Sequence, residues 1–260
     1  ACADEAIAFV RAELIRQVTI GDALLGFQES ARVWLSPEAL LPPLHEAFEA
    51  RPDLWQTWVS YGSQLTRSGQ ADAALALFAD AVEKFPALPR LFVEYALALK
   101  SLGRRDEARA QAARALEISP GWNRAVRLYV DTCTESGTHW DEAIAALKRA
   151  LVREPTDADL RGLLGWVFEQ RGAYEQAWQE VAQSLRADPS PAWVWETGRR
   201  VLDQLGRPDT LLQLLDEIER QRAGDPWTWI ARARLLPDPA AALHAAERAT
   251  ELAPRLVEAW

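Results

Sequence analysis

The segment Trp58-Val59-Ser60-Tyr61-Gly62-Ser63-Gln64-Leu65, followed by Gly69, Ala74, Phe78, Ala81 and Pro86, decides how this chain folds. Trp58, Tyr61, Gly62 and Leu65 recur at helical spacing, and Ala74, Phe78 and Ala81 do so again after Gly69. A glycine can take positive φ where the first helix ends, and a proline discourages continuation of the second. The segment therefore encodes two helices folded back on one another.

The same punctuation recurs downstream. Pro52, Pro86 and Pro120 stand 34 residues apart, Pro155 follows after 35 and Pro189 after another 34. Gly69, Gly103 and Gly137 keep steps of 34, with Gly172 and Gly206 beyond them. Gly137 is on schedule, but Ala143 arrives one residue late after Ala74 and Ala108, which places a single insertion in the turn between them. Self-similarity at a fixed period of this length signals an array of small stacked units.

The pattern resembles the tetratricopeptide repeat. The resemblance implies an all-α fold: a right-handed α-solenoid of antiparallel helix pairs, here with about six repeats. In that register the repeats run 55–88, 89–122, 123–157, 158–191, 192–224 and 225–256, the last one shortened, and residues 257–260 begin a further one. Val257-Glu258-Ala259-Trp260 would fill its positions 1 to 4, so the natural chain is expected to continue.

Each position has a physical reason. The two helices of a pair cross closely at positions 8 and 20, which therefore call for small side chains. Gly62, Ala96 and Gly165 supply the first, and Ala74, Ala108, Ala143 and Ala177 the second. Larger residues such as Trp58, Tyr61, Leu65 and Phe78 fill the remaining volume. Helix starts are marked by Ser36-Pro37, an N-cap followed by proline, and by Thr138 three residues before Asp141, which resembles a capping box. The fifth repeat departs from the pattern with Gly198, Arg199 and Leu211 at positions 7, 8 and 20, which predicts looser packing. Residues 1–54 are expected to form an irregular helical cap leading into the array, with Ile7, Val10 and Leu14, then Leu24, Leu25 and Val33, then Leu40, Leu44 and Phe48 on apolar faces.

Composition narrows the function. A net charge of -9 argues against nucleic-acid binding, which needs concentrated positive surface, and against anionic membranes. No apolar run is long enough to span a bilayer. Two cysteines, Cys2 and Cys133, cannot staple a fold of this size, and a reducing, cytoplasmic setting is the simpler expectation. The sequence contains no Met, as a processed or trimmed segment would.

The resemblance also implies a binding face, because positions 2, 5, 9, 12 and 13 of the first helix usually line a concave groove. Position 2 holds Gln56, Arg90, Arg124, Asp159, Trp193 and Trp227. Position 5 holds Val59, Val93, Arg127, Gly162, Glu196 and Ile230, and position 9 holds Ser63, Leu97, Asp131, Trp166, Arg200 and Arg234. Trp and Arg often dominate interface energetics, so Arg90, Arg124, Arg127, Trp166, Trp193, Arg200, Trp227 and Arg234 are the candidate partner-binding residues. Against that stands the plainer alternative of solvated or locally paired side chains, such as Arg90 with Glu94 and Arg127 with Asp131. The co-chaperone members of the family grip two carboxylates with Lys at position 5 and Asn at position 9. Val59 and Ser63 occupy those places here, and no adjacent repeats restore the set.

Catalytic chemistry finds little footing. His45-Glu46 opens like a zinc-protease helix, but Glu49 stands where the second histidine is needed. His45, His139 and His244 are whole repeats apart, Cys133 falls at a core position, and phosphate-binding glycine motifs are absent. The expectation is a non-catalytic scaffold or adaptor holding a peptide or helix of a protein partner, with no cofactor and with self-association possible. The alternative is the recruiting or regulatory arm of a larger enzyme.

Overall fold

The computed structural model describes residues 2–9, 20–135 and 137–259, and all the described elements are helical. The expected apolar positions Val10 and Leu14, and Trp260 of the further repeat, lie outside these residues. The chain divides into two compact units, residues 1–136 and 137–260, with the division inside the expected repeat 123–157. Among the described residues no helix is long and apolar enough to cross a membrane.

The first unit holds α1 (Cys2–Phe9), α2 (Ile20–Ala31), α3 (Pro37–Ala50), α4 (Trp55–Arg67), α5 (Ala71–Lys84), α6 (Pro89–Ser101), α7 (Arg105–Ile118) and α8 (Asn123–Glu135). Successive second helices start at Pro37, Ala71 and Arg105, 34 apart, so α2 and α3 keep the period of the pairs that follow. The glycine turns work as expected. Gly103 has φ of +74°, and the following Arg104 N–H returns to the Leu99 carbonyl at 3.0 Å. A Cβ on Gly103 would meet nothing within 4 Å, so only backbone strain opposes a side chain there. Gly103→Ala is therefore expected to cost about 1 kcal/mol, read as a lower denaturation midpoint with unchanged helical circular dichroism.

Close approach follows the small residues. A Cβ on Gly62 would lie 2.5 Å from the ring of Phe78, and α6 and α7, which carry the fully buried Ala96 and Ala108 at those positions, pack tightly. α2 behaves differently, because Gln28 occupies the place of the small residue. It lies against α4 and meets α3 through side chains: Leu24 and Ala31 share a cluster with Leu40, Leu44 and Ala47. The Gln28 amide donates to the Ser60 carbonyl at 3.0 Å and to Gln64 Oε1 at 3.1 Å, which ties α2 across α4. Val33, expected on an apolar face, falls in the turn after α2 and is exposed. Ser36 caps α3 as expected, accepting from the Ala39 N–H.

The second unit holds α9 (Trp140–Arg153), α10 (Ala158–Gln170), α11 (Tyr174–Ala187), α12 (Ala192–Gln204), α13 (Asp209–Gln221), α14 (Pro226–Leu235), α15 (Pro239–Leu252) and a 3-10 turn, Val257–Ala259. α9 begins at Trp140, which puts His139 rather than Thr138 at the N-cap, without a side-chain cap bond from His139. α10 and α11 approach closely at Gly165 and Ala177, whereas α12 and α13 meet only weakly, as Arg199 and Leu211 foretell. Gly198 takes over the small-residue role there, with a Cβ placed 3.2 Å from Leu211 Cδ1.

Tryptophan at position 4 repeats one device in both units. The Trp58 indole N–H donates to the Pro52 carbonyl at 3.0 Å, and that of Trp195 to the Pro189 carbonyl at 2.8 Å. Each ring thus fills the core and holds the proline that ends the preceding helix. Trp229, in the same position, is half-buried, with the Arg232 guanidinium 5.9 Å from its ring centroid.

Candidate functional site

In the first unit, the inner sides of α2, α4, α6 and α8 enclose a recess of about 440 Å³. Val59 forms part of its floor. It stands at position 5, which is buried at Val59, Val93, Gly162 and Ile230 and supplies floor rather than contact surface. Glu94, whose side chain is 7% exposed, sits where Arg90 and Arg124 converge. Its Oε1 accepts from Arg90 Nε at 2.8 Å and from Arg124 Nη2 at 2.9 Å. Arg90 comes from the same helix, four residues back, and Arg124 comes from α8. One carboxylate therefore serves two guanidiniums and fixes both at the wall of the recess.

Arg67, at the end of α4, lines the same recess without a carboxylate partner among the described residues. It holds position 13, one of the groove positions, so following that position along the chain would have found it. Arg127 is exposed on α8. Leu97 and Ser63 line the recess at position 9, where Asp131 in the next repeat instead takes Lys100 at 2.8 Å.

In the second unit, a smaller recess of about 80 Å³ between α12 and α14 gathers Trp227 and Arg234 with Trp195, Ile230, Glu196 and Arg199. The Arg199 guanidinium, hydrogen-bonded to Glu196, holds that carboxyl below its usual range. Trp227 also packs beside Ile230 and Ala249, so only part of its ring is available. Trp193 is not an open groove residue. Gly162 leaves a hollow on α10, and the Trp193 ring covers it, 3.1 Å from where a Cβ would stand.

Arg200 is committed elsewhere. Its guanidinium makes a bidentate pair with Glu169, at 2.5 and 2.8 Å, and that carboxylate's side chain is 9% exposed. These hydrogen bonds hold Arg200 above its ordinary pKa and leave it as a strut between α10 and α12. Trp166 is half-buried on α10. Six of the eight candidate residues thus fall into two gatherings, Arg90 with Arg124 and Trp227 with Arg234, plus two packing elements, Trp193 and Arg200; Arg127 and Trp166 line neither recess.

His45 stands on α3 with its ring 4.9 Å from that of Tyr61, and Cys133 is fully buried. Among the described residues no three His, Cys, Asp or Glu side chains are grouped to hold a metal ion.

Comparison with known proteins accounts for the architecture. A tetratricopeptide-repeat family model matches residues 65–130, and a second of the same description matches residues 137–192. The chain is a tetratricopeptide-repeat protein. Such proteins generally act as non-catalytic platforms for protein–protein interaction. Among solved structures, YrrB, described as a tetratricopeptide-repeat protein with an unusual peptide-binding site, is 17% identical with a TM-score of 0.51, over 78% of this chain and 97% of its own. Pseudomonas aeruginosa PilF is 18% identical with a TM-score of 0.54, over 80% and 96%. A tetratricopeptide-repeat protein of Parabacteroides merdae is 13% identical with a TM-score of 0.56, over 89% and 90%. At these identities the likeness speaks to the fold alone. The curated proteins contain no match.

Proposed function

We propose that this tetratricopeptide-repeat chain is a non-catalytic scaffold that holds a peptide or helix of a protein partner against the first helices of its repeats. The observation that carries the proposal is the recess between α12 and α14, where the half-buried Trp227 ring and the exposed Arg234 guanidinium share an apolar floor with Ile230 and Trp195. A partly open aromatic beside a cation, set in a concavity, combines the residue types that most often dominate interfaces. YrrB, described as carrying a peptide-binding site on a tetratricopeptide-repeat fold, supports the proposal by analogy.

Arg234→Ala and Trp227→Ala are expected to reduce retention of degenerate peptide pools by the immobilised chain at least about five-fold, a change of about 1 kcal/mol. Circular dichroism should show folded protein in both cases. Because Trp227 also packs on Ala249, the exposed Arg234 is the cleaner probe. Pools retained equally by wild type and a folded Arg234→Ala variant would remove the α12–α14 recess from the proposal.

A further inference from the structure

The recess of the first unit has a charge that the rest of the chain does not. The protein carries a net charge of -9, yet Arg32, Arg67, Arg90 and Arg124 face this concavity against only Glu29 and Glu94. Arg32 is paired with Glu29, which cancels one charge of each sign. Glu94 answers one of the two arginines that share it, and Arg67 adds a further charge with no carboxylate in range among the described residues. Two positive charges remain uncompensated in a space of about 440 Å³.

The donors are also pre-set. Arg90 spends its Nε on Glu94 and Arg124 spends one terminal nitrogen, so each guanidinium keeps other N–H groups for a ligand. Because Glu94 is buried and bonds both, their side chains are already ordered, and binding need not freeze them. Beside these donors lie Val59, Leu97 and Leu25, an apolar floor for one aliphatic side chain. The space holds a few side chains of an extended segment rather than a helix about 10 Å across.

We propose that this recess binds an acidic peptide segment, with Arg67, Arg90 and Arg124 gripping its Asp or Glu carboxylates and the Val59–Leu97 floor taking a neighbouring apolar residue. The inference rests on the interaction-scaffold proposal and specifies the chemistry of its ligand. Glu94 acts within it as an internal competitor: it positions the two arginines and, by partly neutralising them, weakens their hold on an incoming carboxylate.

The test uses the immobilised full chain and degenerate nonapeptides whose two central residues are fixed as Glu-Glu, Gln-Gln or Lys-Lys. Retention of the Glu-Glu pool is expected to exceed that of the Gln-Gln pool at least about five-fold at low salt and to shrink as salt rises. Arg67→Gln should cut that preference to below about two-fold, and Glu94→Gln, which keeps an acceptor for both arginines, should raise it about three-fold. These opposite shifts cannot both come from damage to the fold. Pools retained without regard to charge would overturn the acidic-segment inference and leave the scaffold proposal standing, and no retention of any pool would remove both. A preference that survives Arg67→Gln and is unmoved by Glu94→Gln would take the acid site away from this recess.

Discussion

Gly165→Leu is expected to lower the unfolding free energy by about 3 kcal/mol, whereas Gly198→Ala should change it by less than about 0.5 kcal/mol or raise it slightly. Both glycines sit in helices at a crossing, and the difference lies in what stands opposite. A Cβ on Gly165 would lie 2.7 Å from Val181 Cγ2 and 3.2 Å from both the Ala177 carbonyl oxygen and the Val181 nitrogen. Two of those three atoms belong to the backbone of α11, which cannot swing aside. Relief therefore requires separating α10 from α11, one of the tightest pairs in the chain.

At Gly198 the nearest atoms are the tips of Val181 and Leu211, at 3.1 and 3.2 Å, and both can yield by a few tenths of an ångström. Alanine there also gains up to about 1 kcal/mol of helix propensity over glycine, which offsets the crowding. Urea denaturation of the full chain, with hydrogen exchange in α10 and α11, reads both outcomes. Equal losses at the two glycines would mean that these backbone contacts do not set the spacing of the pair.

That contrast shows what a sequence of this kind reveals. Residues that repeat were legible, because one physical need recurs every 34 residues: small at the crossing, glycine at the turn, proline after the second helix. Even the departure at Arg199 and Leu211 was legible, since two large residues cannot occupy a crossing meant for small ones, and α12 and α13 do stand apart. The contribution of Gly198 was not, because the residue reads as a missing core side chain until Leu211 is seen filling its place.

Residues that interact across repeats were harder to read. Gly162 and Trp193 each look like groove residues on their own, and only coordinates show one covering the other. Gln28 conceals the register of α2, since a polar residue at a crossing makes sense only once its bonds to Ser60 and Gln64 are known. Of the candidate partner-binding residues, the sequence placed Arg90 and Arg124 at one repeat position and offered the pairing of Arg90 with Glu94 that the structure contains. It could not show that Arg124, thirty residues beyond Glu94, reaches the same oxygen.

The double replacement Arg90→Ala with Arg124→Ala is expected to destabilise the chain by about 3 kcal/mol, although neither arginine is itself buried. Their side chains are 30% and 46% exposed, so losing them removes little apolar contact. The penalty falls on Glu94: with both donors gone, a carboxylate that is 7% exposed loses the guanidiniums that offset its desolvation. Each single replacement should cost about 1 kcal/mol, because the remaining arginine still bonds the same oxygen, so the double loss exceeds the sum of the singles. Adding Glu94→Gln should return the protein to within about 1 kcal/mol of wild type, since a neutral amide in that place carries no unpaired charge. Denaturation midpoints of the four variants at one salt concentration measure this coupling. Additive single losses, or no rescue by Glu94→Gln, would mean that Glu94 is hydrated rather than sealed, and the arginines would then owe their ordering to something other than the carboxylate they share.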